Sequence, residues 1–223
     1  MARFLATTIL PLIALDLEAQ PTAAPSRLVR LVSPQRMVQI SAMAETVRPR
    51  GPSVRAVPAG DDRERLMCPE CGYVLYDNPK VVVGSVCRWE GRILLVERAI
   101  DPRPGYWSLP SGYLELHETT SAGAMREAYE EARARIALDG LLAVYNIPRL
   151  SQVQLIYRAR LLSADIAPGP ESKAVRLFAW EEIPWDALAF PSVRWALEHA
   201  REVGDAAAFT VRTNPDGQLG EMR

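Results

Sequence analysis

The alternation of apolar and polar residues predicts a set of strands in the middle of the chain. Val81 to Cys87 is rich in β-branched residues and predicts a buried strand. Glu90-Gly91 predicts a hairpin turn, and Arg92 to Arg98 predicts the strand that returns from it. Residues 107–113 predict a short extended segment that passes through Pro110 and Gly112.

The pattern further along the chain adds two helices to these strands. A helix is predicted from Thr119 to Arg135, with Thr119 or Thr120 as its N-cap, and a second one from Pro191 to Val203. A loop is predicted at 163–173, and the remaining strands at Leu141 to Ile147, Gln152 to Leu162 and Val175 to Trp180. Strands and helices in this mixed order predict an α/β sandwich.

The first 60 residues differ in composition from the rest. They hold seven Arg, no Lys and only three acidic residues, and they show no lasting periodicity. The apolar run from Phe4 to Leu15 is too short to span a membrane. If residues 1–20 are a targeting peptide, an organellar or exported protein is expected. The alternative is a disordered extension, with Met43 as a plausible later start and a cytoplasmic protein.

Charge and cysteine content narrow the class of protein. The net charge is −1, and neither half of the chain resembles a nucleic-acid-binding arm, so we expect no DNA partner. Three cysteines are too few for a disulfide framework. The close pair Cys68 and Cys71 instead favours a reducing compartment and metal or redox chemistry.

Helix geometry places three carboxylates on one face of the first predicted helix. At 100° per residue, Glu131 lies about 40° from Glu127 in one direction and Glu130 about 60° in the other. This predicts an acidic outer stripe. The opposite side, where we expect core contacts, carries Met125, Ala128, Ala132 and Ile136.

The like charges on this face need an explanation. Glu127 is four residues from Glu131 and three from Glu130, and each like-charge pair at such a spacing costs about 0.2–0.5 kcal/mol. A solvated surface is the ordinary explanation of an acidic face. A bound divalent cation would instead make the cluster favourable, and oxygen ligands suit Mg²⁺ or Mn²⁺.

The residues before and within this helix favour the metal site. They resemble the Nudix box, G-x5-E-x7-R-E-U-x-E-E-x-G-U with U apolar, at Gly112, Glu118, Arg126, Glu127, Ala128, Glu130 and Glu131. The late Gly of the box is replaced by Arg133, which predicts a helix that runs on past this point.

The resemblance implies a role for each matched residue. Glu127 and Glu131 would bind the metal, Glu130 would share or orient it, and the carbonyl near Gly112 would be a further ligand. A second pair, Arg126 and Glu118, would fix the loop against the helix. The general base would be a glutamate of the box or one from a later loop, for which Glu171 is the candidate.

Further motifs resemble one Nudix subgroup that carries an N-terminal zinc ribbon and includes plant-type FAD and ADP-ribose diphosphatases. They are Cys71-Gly72, Tyr76-x-Asn78-Pro79-Lys80, Val82-Val83-Gly84, Trp107-x-Leu109-Pro110, Gly169-Pro170-Glu171-Ser172 and Phe190. Cys68 and Cys71 would be zinc ligands, but the relatives' first Cys-x-x-Cys-Gly has no counterpart in Glu45 to Ala56. Half of the ribbon is lost, the encoded N-terminus is out of frame, or two chains share one zinc ion.

The resemblance implies the following organisation and function. We expect a disordered or targeting extension at 1–60, a partial zinc-ribbon-like segment at 61–79, a Nudix hydrolase domain at 80–205 and a polar tail at 206–223. The domain would be an α/β/α sandwich that cleaves the diphosphate of FAD or ADP-ribose, giving AMP and a phosphorylated product. The alternatives are an NADH or capped-RNA diphosphatase and a non-catalytic nucleotide sensor. Homodimers are common among such proteins.

Overall fold

The computed structural model describes residues 51–221, so the predictions for the apolar run and for most of the N-terminal extension lie outside the described residues. The described part begins with a small antiparallel sheet of β1 (Val54–Ala56), β2 (Arg65–Met67) and β3 (Val74–Leu75). This sheet spans the boundary that we predicted at residues 60–61, because β1 pairs with β2 through Val54 and Met67.

The main sheet contains the other seven strands. They are β4 (Lys80–Trp89), β5 (Arg92–Arg98), β6 (Trp107–Ser108), β7 (Ser111–Tyr113), β8 (Ile136–Ile147), β9 (Gln152–Leu161) and β10 (Ser172–Phe178). The central order is β10-β5-β4-β9-β8, with β6 paired to β5 and β7 paired to β4. The pair of β4 and β9 is parallel and the other pairs are antiparallel, so the sheet is mixed.

One helix covers each face of this sheet. Helix α1 (Thr120–Ala132) packs Ala128 and Ala132 against Cys87 and Leu94. Helix α2 (Pro191–Val203) packs with the other face in a larger apolar cluster that includes Val86, Leu95, Tyr145, Trp195 and Leu197. The alternation of apolar residues along β4 and β5 sends neighbouring side chains to opposite cores. The predicted α/β/α arrangement with a mixed sheet is confirmed.

The prediction that the first helix runs past Arg133 is wrong. The helix ends at Ala132, and Arg133 takes the left-handed conformation with φ 53°. Its backbone N–H donates to the carbonyls of Ala128 and Tyr129, as a glycine cap would. The chain can then turn at once into β8, which therefore begins at Ile136, five residues earlier than predicted.

The last described residues pack against the main sheet. Arg212 bridges to Ala143 in β8, and the side chain of Asn214 accepts a hydrogen bond from the backbone N–H of Asn146 at 2.8 Å. In residues 51–221, no helix is long and apolar enough to cross a membrane.

Candidate functional site

The first helix is set in place by its N-cap and by one tyrosine of the sheet. Thr119 Oγ1 accepts a hydrogen bond from the backbone N–H of Ala122 at 3.1 Å, which satisfies one of the free N–H groups of the first turn. The Tyr157 hydroxyl lies 2.6 Å from Thr120 Oγ1. These contacts hold the first turn of the helix in place and join it to the sheet, and so help to set the position of its glutamates.

Two of the three glutamates on the acidic face of the helix are turned inward, which corrects the expected outer stripe. Only 8% of Glu127 and 6% of Glu131 is exposed, whereas Met125, predicted to face the core, is 41% exposed. Glu127 can turn inward because Gly112, in the strand beneath the helix, has no side chain. A Cβ atom on Gly112 would overlap the Glu127 carboxylate.

Glu131 is the most strongly buried acid of this cluster. Its Oε2 accepts a single backbone hydrogen bond, from Ser111 N–H at 3.0 Å. Its pKa is raised from 4.5 to about 8, chiefly by burial and also by the charge of Glu127, although the hydrogen bond from Ser111 and the charge of Arg98 oppose the rise. Burial also raises the pKa of Glu127, against the opposing effect of Arg126. Both side chains are therefore carboxylates that lack enough compensating charge.

Arg126 joins the helix to the preceding loop. Its guanidinium donates to both oxygens of Glu118, at 2.7 and 3.1 Å, and to the Tyr113 carbonyl at 3.0 Å. It also donates to Glu127 at 2.7 Å and to Glu130 at 2.8 Å. These bonds to Arg126 are the main reason that the pKa of Glu118 is lowered. Arg126 thus has no N–H group to spare for a substrate.

The two remaining predicted acids lie at the rim of the cluster. The Glu130 side chain is 53% exposed and pairs with Arg126. Glu171 is exposed on the loop before β10, close enough for its charge to raise the pKa of both Glu127 and Glu131. Its loop is held to the helix by Gly169, whose N–H donates to the Glu131 carbonyl at 3.0 Å.

This donor set fits a divalent cation. The carboxylates of Glu127 and Glu131 are hard oxygen donors and are buried. The Glu127 carboxylate occupies the space that a side chain at Gly112 would fill. Within residues 51–221, however, no three His, Cys, Asp or Glu side chains already surround a common point. The Glu130 carboxylate is instead hydrogen-bonded to Arg126 at 2.8 Å.

Arg98 is a residue of the site that sequence reasoning missed. Its Nε donates to the Pro102 carbonyl at 2.8 Å, its guanidinium lies 5.3 Å from the centre of the Phe190 ring, and its charge acts on Glu131. The only signal in the sequence was a cation at the end of an apolar strand. That signal acquires meaning only when β5 is placed beside α1.

The four aromatic residues considered for base stacking occupy different environments. Tyr145 is fully buried in the core, where its hydroxyl hydrogen-bonds to His199 Nδ1 at 2.7 Å. Trp107 packs edge-on against Phe178. Tyr106 is exposed beside Arg103, and Phe190 is partly buried at the start of α2. Of the four, only Phe190 is linked through Arg98 to the acidic cluster.

The cysteine pair lies in the turn between β2 and β3. The Cys68 thiol accepts hydrogen bonds from the backbone N–H groups of Cys71 and Glu70, and these lower its pKa. Cys87 is buried in the core instead, where burial raises its pKa to about 12. The chain has three cysteines in all, and residues 51–221 provide no cluster of three metal ligands. The residues present therefore do not fit a four-ligand zinc site within one chain.

Two family models match the chain. The model of the NUDIX domain matches residues 78–196, which is more than half of the chain. The model described as Nudix N-terminal, a zinc ribbon, matches residues 51–77. The solved structure of a NUDIX hydrolase from Nitrosomonas europaea is 43% identical, covers 74% of this chain and 94% of that one, and superposes with a TM-score of 0.69.

Curated proteins are similar over shorter stretches. An ADP-ribose pyrophosphatase from Methanocaldococcus jannaschii is 29% identical over 53% of this chain. A NAD-capped RNA hydrolase from Pseudomonas aeruginosa is 29% identical over 55% of it. The chain spans 71% of the length of the first of these proteins and 45% of the second. It spans 64% of the length of a MutT-like protein from Streptomyces ambofaciens.

Proposed function

The chain belongs to the Nudix hydrolase family, and from this membership we propose that it cleaves the diphosphate bond of a nucleoside diphosphate linked to another moiety, with Mg²⁺ or Mn²⁺ bound at helix α1. The observation that carries the proposal is the buried pair Glu127 and Glu131. Two carboxylates that are desolvated side by side destabilise the fold unless a cation or protons neutralise them.

The proposed metal ligands are Glu127, Glu131 and the carbonyl near Gly112, with Glu130 sharing or orienting the ion. A bound metal would neutralise the negative charge on the phosphate oxygens and would lower the pKa of a bound water molecule. Gly112 supports this assignment, because the absence of a Cβ atom is what lets the Glu127 carboxylate approach the β7 backbone.

Arg126 and Glu118 are proposed to position these ligands. The doubly hydrogen-bonded pair holds the loop 113–118 against the helix, and the same guanidinium orients Glu127. Their effect on catalysis would be indirect, through the placement of the carboxylates.

The proposed general base is Glu171 or one of the box glutamates. Glu171 is exposed to solvent and lies within electrostatic reach of Glu127 and Glu131, so it could accept a proton from a water molecule near the phosphorus. A comparison of Glu171→Gln with Glu130→Gln separates these assignments, because loss of the base lowers kcat far more than KM.

ADP-ribose and FAD are the first proposed substrates, with AMP and a phosphorylated moiety as products. The similarity to the ADP-ribose pyrophosphatase of Methanocaldococcus jannaschii supports ADP-ribose, and FAD rests on the resemblance of motifs alone. The second candidate, cleavage of NADH or NAD-capped RNA, is favoured by the similarity to the hydrolase from Pseudomonas aeruginosa.

A substrate panel tests the proposal. ADP-ribose, FAD, NADH and NAD-capped RNA are incubated with the protein and Mg²⁺, a phosphatase is added, and released phosphate is measured with malachite green. We expect metal-dependent release with ADP-ribose or FAD and none with Glu131→Gln. Tight binding of one compound without turnover of any would instead favour a nucleotide sensor.

Zinc at Cys68 and Cys71 is a separate question with its own measurement. If the ribbon has lost half of its ligands, elemental analysis of the purified protein will find no stoichiometric zinc. A value near one half per chain would support two chains that share an ion, and a value near one would contradict a lost site.

A further inference from the structure

A groove lies between the start of helix α2 and the last described residues. Its volume is about 820 Å³, within the range of small-molecule sites. The residues that carry the following argument are Arg103, Trp185, Asp186, Phe190, Gln218 and Glu221, all of which line it.

Phe190 and Arg98 connect the groove to the acidic cluster. Phe190 lines the groove, and the guanidinium of Arg98 lies 5.3 Å from the centre of its ring. Arg98 is in turn close enough to Glu131 for its charge to act on that carboxylate. A ligand whose phosphates reach Arg98 and the acidic cluster could therefore place the rest of its structure in the groove.

The lining suits a flat ring that also forms hydrogen bonds. Trp185 and Phe190 are partly buried aromatic side chains, and the guanidinium of Arg194 lies 5.0 Å from the centre of the Trp185 ring. Gln218 Oε1 accepts a hydrogen bond from Trp195 Nε1 at 2.8 Å, which leaves the amide N–H groups of Gln218 for a ligand. Asp186 and Glu221 add carboxylate acceptors at the edge.

The C-terminal wall of the groove is anchored. The carbonyl of Gly220 accepts a hydrogen bond from Arg149 Nε at 3.2 Å. The backbone of Gly220 packs closely on Ile147, and Asn214 Nδ2 donates to the Gln218 carbonyl at 2.9 Å. These contacts connect the segment 214–220 to β8, so it can act as a fixed wall for a ligand.

We propose that this groove binds the aromatic base of the nucleotide whose diphosphate is cleaved at helix α1. The proposal rests on the proposed function for the identity of the phosphates. It assigns specificity for the base to Phe190, Trp185 and Gln218, and so gives a role to the residues that we predicted to be a polar tail.

Binding of AMP tests the groove without turnover. Calorimetry compares AMP with ribose 5-phosphate, which carries the same sugar and phosphate but no base, on the full chain and on Phe190→Leu. Stacking of a base on an aromatic side chain is worth about 1–3 kcal/mol, so we expect AMP affinity to fall about tenfold. Ribose 5-phosphate affinity should change less than twofold. An equal effect on both ligands, or none on AMP, overturns the proposal.

A matched pair of variants tests the same site from an exposed position, in case Phe190→Leu unfolds. Asp186→Trp adds a bulky side chain to the groove lining, whereas Leu219→Trp adds it to an exposed residue of the wall that does not line the groove. We expect Asp186→Trp to weaken AMP binding at least tenfold and Leu219→Trp to leave it within twofold. If both variants bind AMP as well as the unmodified chain, the groove is not the base site.

These outcomes separate the groove from the proposed reaction. If no diphosphate is hydrolysed but AMP binding depends on Phe190 and Asp186, the proposed function fails and the base site stands. If ADP-ribose is hydrolysed and the groove variants leave its KM unchanged, the reaction stands and the base site is refuted.

Discussion

The burial of Glu131 predicts that its replacement stabilises the protein while it removes activity. In metal-free protein the folded state keeps a proton on Glu131 up to a pKa of about 8, whereas the unfolded chain releases it near 4.5. The free energy of unfolding contributed by this group is therefore fully present below pH 4.5 and is lost as the pH rises through 8. Glu131→Gln removes this dependence, because the amide is neutral throughout and can still accept from Ser111 N–H.

The magnitude follows from the shift in pKa. Between 4.5 and pH 7 there are two and a half pH units, and each is worth about 1.4 kcal/mol. Glu131 thus costs the metal-free protein about 3 kcal/mol at pH 7 and almost nothing at pH 4.5. For a chain of this size, about 3 kcal/mol corresponds to roughly 10 °C in the midpoint of thermal unfolding.

Thermal unfolding of EDTA-treated protein at pH 5 and pH 7 provides the assay, with magnesium-dependent turnover measured in parallel. Glu131→Gln should be more stable than the unmodified chain by about 3 kcal/mol at pH 7, by less than about 1 kcal/mol at pH 5, and inactive. Glu130→Gln is the matched control for stability, because it makes the same substitution on the same helix at a side chain that is 53% exposed. Equal stability of Glu131→Gln and the unmodified chain at pH 7, or near-normal kcat in the variant, would refute the reasoning.

Three further predictions concern the support of the site. Gly112→Ala should lower kcat/KM at least a hundredfold with the fold retained, since its Cβ displaces the Glu127 carboxylate; activity near normal in kinetics with circular dichroism as control would contradict this. Glu118→Gln should lower the midpoint of urea unfolding, because Arg126 loses one of its three charged partners; an unchanged midpoint would count against it. Arg133→Gly should raise the urea midpoint by the equivalent of about 0.5–1 kcal/mol, because glycine adopts φ 53° without strain, and a decrease would show that the arginine side chain matters more.

The parts of the fold that were predictable from the sequence are those in which local pattern and tertiary packing agree. Strand β5 and helix α2 have the predicted bounds, Arg92–Arg98 and Pro191–Val203. Thr119 caps the first helix as expected. In each case a periodic apolar face ends at a turn or capping residue, so the sequence carries both the element and its limits.

The inward orientation of the carboxylates could not be predicted in the same way. The pattern around α1 treats glutamate as polar and therefore assigns it to solvent, whereas Glu127 and Glu131 are buried against the backbone at Ser111 and Gly112. The position of Arg98 and the groove beside Phe190 depend on strands and loops that are distant in sequence. Spacing along the chain could indicate that the acids act together but not what would lie opposite them.

The attachment of the loop before β10 has a practical consequence for labelling the protein. The backbone N–H of Gly169 donates a hydrogen bond to the Glu131 carbonyl, and that of Ala167 donates to the Ala132 carbonyl at 3.0 Å. Leu162 N–H donates to the Arg135 carbonyl at 2.8 Å, so the chain is held on both sides of 163–166. Residues 164–165 are exposed. A label or an affinity peptide introduced there would leave the position of Glu171 relative to the helix unchanged. The same insertion two residues after Ala167 would uncouple the loop from the helix.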